Sequence, residues 1–375
     1  MDRTLKNLEI AFRRFLIRVL RSMVRSRPQI PAYVDFSLCK YLFVRQDRIG
    51  DVLISTPLFA ALKRKYPMAV IDVLLSTNNH FVLANDPSIR RRWIYNKKIL
   101  SSMRMMRNIR SEEYDFVIDL MDNPSATSTV ICLVSGARWT VGLQKDNAFA
   151  YDIVVPLISR KDAHIVDRIA RLLVPFGIDP SVEDLRVRFI VPEEARKFSE
   201  RTFKQNKLLR GKTLGINISA GHDVRFWGID NFRKLIALLE GKDRNIQILL
   251  LSKPSHRSLA ERIRSGFNTV VLAPQTNSFD EFAGLIQNLS LLITPDTSAV
   301  HLAAAFSIPS VVLYVQSDKN LRIWEPYKSR SEALIADVDD LGVISPEDVF
   351  RAVQRIRSKR LPSHTRASIP GKTGK

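Results

Sequence analysis

Cysteine is nearly absent from the chain: its 375 residues hold only Cys39 and Cys132, far apart, without CxxC spacing or clustered histidines. A disulfide framework and a structural zinc site are therefore excluded, and a reducing, cytoplasmic setting is expected. Glycine-rich phosphate fingerprints are missing as well. No GxGxxG opens any helix, which argues against a dinucleotide-dependent redox enzyme. The N-terminal arm has no unbroken apolar run of signal-peptide or membrane-spanning length. What remains is 45% hydrophobic and 26% charged, with 14 Gly and 18 Pro, a composition that rules out collagen-like, low-complexity and wholly disordered classes. The length calls for two soluble domains of roughly 150 residues each.

Acidic residues are scarce at both ends. The formal charge is +20, from 58 Lys and Arg against 38 Asp and Glu. Residues 1–27 contribute +6 and residues 351–375, which contain no acid, contribute +8, leaving +6 for residues 28–350. A mildly basic body without a continuous basic and aromatic stripe argues against a nucleic-acid partner. In the first arm Leu5, Leu8, Phe12, Phe15, Leu16, Val19, Leu20 and Met23 recur at helical spacing, with Arg14, Arg18, Arg21 and Arg25 on much of the other side. Such an amphipathic helix suits the headgroup plane of an anionic membrane. The alternative is a helix docked on the protein's own core with its arginines solvated. The C-terminal segment SHTRASIPGKTGK reads as a disordered basic tail.

Between the arms, short β-rich apolar runs alternate with longer helical ones, the pattern of parallel sheets with crossover helices. Strands are expected at 41–44, 70–75, 93–95, 116–120 and 139–143, then again at 214–218, 246–251, 270–272, 291–294 and 311–315. Helices are expected at 52–65, 102–110, 124–134, 164–175, 231–239, 258–264, 279–288 and 299–305, with a short piece near 80–84. The chain thus divides into a basic amphipathic extension (1–35), a first Rossmann-like domain (36–180), a second (181–345), and a C-terminal helix with a basic tail (346–375), with a polar linker near 179–184. Open α/β sheets bind ligands at the carboxyl ends of their strands, so chemistry is expected in the cleft between the domains.

Three stretches are suited to chemistry. In Arg45-Gln46-Asp47-Arg48-Ile49-Gly50-Asp51-Val52, Gly50 permits close backbone approach and Asp51 faces the cleft near a helix start. Asp51 can equally serve only as a helix cap. In Thr294-Pro295-Asp296-Thr297-Ser298-Ala299-Val300-His301, an apolar strand runs into a helix whose free amides can hold a phosphate or diphosphate. The hydroxyls of Thr297 and Ser298 add donors, and His301 sits about one turn inside. An ordinary capped helix with a partly buried histidine is the other reading. In Ser219-Ala220-Gly221-His222-Asp223-Val224-Arg225-Phe226-Trp227, a small-residue loop precedes a guanidinium suited to phosphate oxygens, and Trp227 is expected to pack beneath the loop.

With this order and spacing the chain resembles the heptosyltransferases of glycosyltransferase family nine, which build the inner core of lipopolysaccharide. The resemblance rests on RQDRIGDVLISTPLFAALKRKYPMAVIDVL, YDFVIDL, HIVDRIARLL, INISAGHDVRFWGIDNFRKLIALL and DTSAVHLAAAFSIPSVVLY, which span most of residues 41–315. It implies an α/β GT-B fold, two doubly wound Rossmann-like domains facing a cleft. It also implies an inverting, metal-independent transfer from a nucleotide sugar, typically ADP-heptose, with no cofactor. The family's proposed base falls on Asp51, and its donor-diphosphate element falls on Asp296, Thr297, Ser298 and His301. Arg225 matches the basic residue that contacts donor phosphates, with Ser219 and Gly221 in the same loop. Departures occur at Met121-Asp122 in place of Gln-Gly, at SKPSH in place of a Gly-rich turn bearing an acid, and at Gly228 in place of Pro.

The resemblance gives the arms a reason. A lipid-anchored glycan acceptor would be met by an enzyme held peripherally on the inner face of the cytoplasmic membrane through residues 1–27. Three alternatives stand beside this reading: a GT-B enzyme of another surface polysaccharide with a different nucleotide sugar, a nucleic-acid-binding protein, and a non-catalytic scaffold on an anionic surface.

Overall fold

A computed structural model describes residues 34–219, 225–316 and 323–358. The N-terminal amphipathic segment, Gly221 with its neighbours in the loop, and the basic tail after residue 358 lie outside the described residues.

The first half is built from β1 (Lys40–Val44), α1 (Ile49–Leu53), α2 (Thr56–Lys65), β2 (Val70–Ser76), a 3₁₀ turn (His80–Leu83), β3 (Arg91–Tyr95), α3 (Ile99–Ser111), β4 (Phe116–Asp119), α4 (Ala126–Val134), β5 (Trp139–Leu143) and β6 (Ile153–Val155). Next come α5 (Ile165–Ala170), a 3₁₀ stretch (Arg171–Phe176) and α6 (Glu193–Gln205). The second half comprises β7 (Leu214–Asn217), α7 (Ile229–Lys242), β8 (Ile248–Leu251), α8 (Arg257–Arg264), β9 (Val270–Leu272), α9 (Phe279–Gln287), β10 (Leu291–Pro295), α10 (Ser298–Ala305), β11 (Ser310–Val315), β12 (Ser331–Ala336) and α11 (Pro346–Ser358).

The two halves repeat one topology. The sheets run β3-β2-β1-β4-β5-β6 and β12-β11-β10-β7-β8-β9, and every pairing is parallel. The central strands β1, β4, β7 and β10 are buried at nearly every position, because helices cover both faces and leave no solvent side for polar residues to occupy. The winding direction reverses between β1 and β4 and again between β7 and β10. Those two gaps, where connections leave on opposite faces, are the points at which a doubly wound sheet opens a ligand crevice.

Several elements differ from the sequence expectation for identifiable reasons. The helix expected over 52–65 is two helices, because the Ser55 hydroxyl turns back to the Asp51 carbonyl at 2.8 Å and Pro57, which has no amide to donate, occupies the first turn of α2. The helix expected over 164–175 loses its α geometry after Ala170, where Pro175 follows. Two edge strands, β6 and β12, and the charged helix α6 join the expected set. Gly228 begins α7 at φ +99°, a value closed to proline, which explains the departure at that position.

The halves also touch. A Cβ built on Gly50 would lie 2.8 Å from Cδ2 of His301, so the start of α1 rests directly on α10. On the other side, Ile165 N–H donates to the Ile323 carbonyl at 3.2 Å, and His164 Nε2 lies 2.8 Å from the Glu325 carbonyl. The ring of Phe279 on α9 sits between Phe81 and Phe189. Among the described residues no helix is long and apolar enough to cross a membrane.

Helix α6 crosses α9 with almost no room. A Cβ at Gly284 would meet the backbone oxygen of Ala195 at 2.8 Å and Cβ of Ser199 at 3.5 Å. Gly284→Leu is therefore expected to destabilise the protein by about 1–3 kcal/mol through overpacking, read as a lower urea midpoint. An unchanged midpoint would show that the two helices separate freely.

Candidate active site

At the end of β1 the chain places a charged residue where the apolar strand pattern stops. Arg45 is buried, and its guanidinium spans the gap between β1 and β4. Its Nε donates to the Asp51 carbonyl at 3.0 Å, its Nη1 to the Leu120 carbonyl at 2.6 Å, and its Nη2 lies 3.4 Å from Asp51 Oδ1. Asp47 Oδ1 is 3.5 Å from the same guanidinium. A buried cation in this position demands such partners, and in satisfying it the loop 45–51 is fixed in shape.

Asp51 is the third residue of α1. Its Oδ2 accepts the Arg48 amide at 3.3 Å, capping one free amide at the helix start. The capping and chemical readings of Asp51 are thus compatible, because one carboxylate edge is tied to the backbone and the group stays largely buried at the mouth of the crevice.

The second switch point supplies the facing surface. Thr297 caps α10, its side chain accepting the Ala299 amide at 3.3 Å, and Ser298 begins the helix. Arg225 Nη1 donates to the Asp296 carbonyl at 3.1 Å and to its Oδ2 at 3.0 Å, bringing the residue after the small-residue loop onto the residue before α10. Ser219 is held at the end of β7 by the Asn217 side chain, and its Oγ accepts the Lys253 amide at 2.7 Å. That last bond ties the SKPSH segment, a single 3₁₀ turn at Pro254–His256, to the crevice. Trp227 is fully buried, with Nε1 donating to the Ile344 carbonyl at 2.9 Å.

Charges from both halves act on one another here. Burial pushes the Asp296 carboxyl up from the usual carboxylate range, and Asp51 adds to that, while Arg225 and Arg48 oppose it. Burial likewise pushes Asp47 up against the pull of Arg45, with Asp51 reinforcing the rise. His301 is driven down to about 3 by burial, with a smaller contribution from His164, so its ring is neutral at physiological pH. Its Nδ1 has no hydrogen-bond partner among the described residues. Gly50, Asp51, Arg225, Asp296, Thr297, Ser298 and His301 are therefore brought together where α1 meets α10, Ser219 is linked to them through Asn217, which also bonds Thr294, and Gly221 lies outside the described residues.

Sequence reasoning missed a polar floor at the end of β4. Asp119 is fully buried and accepts from Tyr151 at 2.6 Å and Ser128 at 2.8 Å, with Lys145 Nζ at 3.2 Å. Asp122 pairs with Arg168 at 2.9 Å and Arg160 at 3.2 Å. The departure Met121-Asp122 is thus a buried ion pair between the β4 loop and α5. Among the described residues no cluster of His, Cys, Asp and Glu is arranged to hold a metal ion.

The model of glycosyltransferase family 9 (heptosyltransferase) matches residues 102–342. Lipopolysaccharide heptosyltransferase 3 of Escherichia coli K12 is 28% identical over 346 residues, covering 84% of this chain and 98% of that protein. Among solved structures, a family 9 glycosyl transferase from Veillonella parvula superposes with a TM-score of 0.74 at 19% identity, over 86% of this chain and 98% of its own. The E. coli heptosyltransferase WaaC with ADP-2-deoxy-2-fluoro heptose gives a TM-score of 0.67 at 17% identity, over 84% and 99%. These structural likenesses establish the fold as GT-B.

The neutral, buried His301 has a thermodynamic signature. In the unfolded chain its imidazole takes up a proton near pH 6.5, whereas in the folded protein it does so only near 3. Between these values the unfolded state binds the extra proton, so this residue's contribution to stability falls as pH drops. The difference in unfolding free energy between the wild type and His301→Gln should shrink from pH 7 toward pH 4, by up to about 1.4 kcal/mol per pH unit. The rise at Asp47 acts in the opposite sense but is common to both proteins and cancels. A difference that does not vary with pH would mean that the ring is solvated and charged.

Proposed function

The chain belongs to glycosyltransferase family 9 (heptosyltransferase), and from that membership we propose that it transfers a heptose from ADP-heptose to a lipid-anchored lipopolysaccharide core acceptor, with inversion and without a metal ion. Residues 36–180 receive the acceptor and residues 181–345 the donor. The observation that carries this reading is the meeting of two switch points: Asp51 at the end of the first sheet stands opposite the capped start of α10, across the contact of Gly50 with His301.

In this mechanism the donor diphosphate lies against the amides at Thr297 and Ser298, where the helix end and the hydroxyls favour negative charge. Arg225, held by Asp296, turns its remaining donors toward phosphate oxygens. The acceptor hydroxyl attacks the anomeric carbon from the opposite face. Its proton passes to a carboxylate oxygen of Asp51 as the new glycosidic bond forms. The bond from the anomeric carbon to the phosphate oxygen breaks, its electron pair leaves with ADP, and the growing charge is met by Arg225 and the helix amides. His301, uncharged, contributes through ring contact and an N–H rather than through a positive charge. Arg45 keeps Asp51 aimed by binding its carbonyl and its carboxylate at once.

The acceptor's lipid places the reaction at a membrane surface. Residues 1–27, with their helical apolar spacing and arginines, serve as an anchor to the anionic inner face of the cytoplasmic membrane.

Asp51→Ala should lower turnover by about two to four orders of magnitude while leaving ADP affinity nearly unchanged. Transfer from ADP-heptose to heptose-deficient core acceptor, followed with ADP titration of the same variant, measures both. Normal turnover at saturation with weakened ADP binding would assign Asp51 to the donor site and remove it as the base.

A further inference from the structure

The small net charge of the body conceals a local excess. Residues 87–111 carry eight cations, Arg90, Arg91, Arg92, Lys97, Lys98, Arg104, Arg107 and Arg110, and no acid. Arg90 and Arg91 stand at the start of β3, but Lys97, Lys98, Arg104 and Arg107 lie on the loop from β3 into α3 and along α3 itself, where the chain also exposes a group of apolar side chains. Ile99 is 78% exposed, Leu100 82% and Met103 65%. On the inner face of α3, Met105 and Ile109 are buried against the sheet, so the helix already has its core contact and the outer apolar group is additional to it.

The charges around this group lack internal partners. Glu112 is committed to Arg90 and Arg91. Lys97, Lys98, Arg104 and Arg107 have no ion pair among the described residues, and all four are exposed. Lys98 is the N-cap of α3, with no side-chain cap bond and no acid in the first turn. Cations at the positive end of a helix oppose its dipole and cost stability unless an anion lies beside them. Apolar side chains ringed by unpaired lysine and arginine fit a surface that is anionic outside and hydrocarbon beneath.

The location adds a second reason. All strands of the first sheet are parallel, so the end of β3 opens on the same edge as the ends of β1 and β4. Strand β3 is two strands, about 10 Å, from β1. A body seated by this tip would turn the crevice edge bearing Asp51 toward the membrane.

We propose that the β3–α3 tip, Ile94 to Arg107, is a membrane-docking surface that inserts Ile99, Leu100 and Met103 into an anionic lipid bilayer while its lysines and arginines pair with lipid phosphates. It is separate from the anchor assigned to residues 1–27 and does not depend on which sugar is transferred.

A probe at the tip distinguishes the two contacts in the full chain. Cys39 and Cys132 are buried, so Leu100→Cys takes up an NBD maleimide selectively, and the labelled protein is checked for a wild-type thermal midpoint. On vesicles of phosphatidylcholine with about 30% phosphatidylglycerol, NBD emission should shift to the blue and brighten about threefold or more, with quenching by bromolipids and no change on phosphatidylcholine alone. Ile99→Ser with Met103→Ser should weaken vesicle partition by about tenfold or more. Co-sedimentation with the NBD still in water would overturn the proposal and leave residues 1–27 as the anchor. A concentration-dependent blue shift without vesicles would overturn it in favour of a second copy as the occupant, and absence of sedimentation would overturn it outright.

Discussion

The arrangement depends on one close approach: the backbone at Gly50 lying on the ring of His301. A side chain there would collide with the imidazole at 2.8 Å. The contact exists because two sheets of the same topology present their switch points to each other, and a residue without a Cβ lets the first loop reach the second helix. It sets the separation of Asp51 from Thr297 and Ser298. It also encloses His301, whose burial makes the ring neutral. The electrostatics of the crevice therefore rest on Arg225, Arg48 and the helix amides, with Asp296 and Asp51 as the opposing carboxylates.

Behind that contact the first sheet ends in polar groups that are nearly all committed. Arg45 binds the carbonyls of both Asp51 and Leu120, and thus joins the two strands that border the switch point. Asp119 collects Tyr151, Ser128 and Lys145, and Asp122 joins Arg168 and Arg160. Buried networks of this kind contribute little net stability but fix geometry, since each member left unpaired would be costly. The result is a rigid floor beneath one side of the crevice. Arg168 belongs to α5, the helix that also meets residues 323–327 of the other half, so the floor and the seam between the halves share an element.

The strongly apolar strands were legible because covered parallel strands leave no polar positions, and each appeared as a short run between turn residues. Strands β6 and β12 were not, since edge position lets Ile153–Val155 stay short and Ser331–Ala336 stay mixed. Helix α6 escaped because only Ala195, Ser199, Thr202 and Phe203 are buried, too thin a stripe to stand out among its charges. Asp51, Arg225 and the 296–301 segment stood out through local motif spacing. Arg45 did not, because a single arginine after a strand reads as a solvated end until the β4 carbonyl beside it is known. The pair Asp122–Arg168 joins residues 46 apart in sequence, which only the topology brings together. The basic tip around Ile99 was hidden by averaging, because acids elsewhere in the body offset the eight cations of residues 87–111 in the net charge.

The central claim is that the α10 start, with Arg225, holds a nucleoside diphosphate in this crevice. A thermal-shift titration of the full chain with ADP, UDP, GDP, CMP and NAD, repeated on Arg225→Ala, tests it most directly, because a ligand of the folded state raises the midpoint by mass action. The account predicts a concentration-dependent rise with ADP that Arg225→Ala abolishes or strongly weakens. A rise of equal size in wild type and variant, or no rise with any nucleotide, would contradict it.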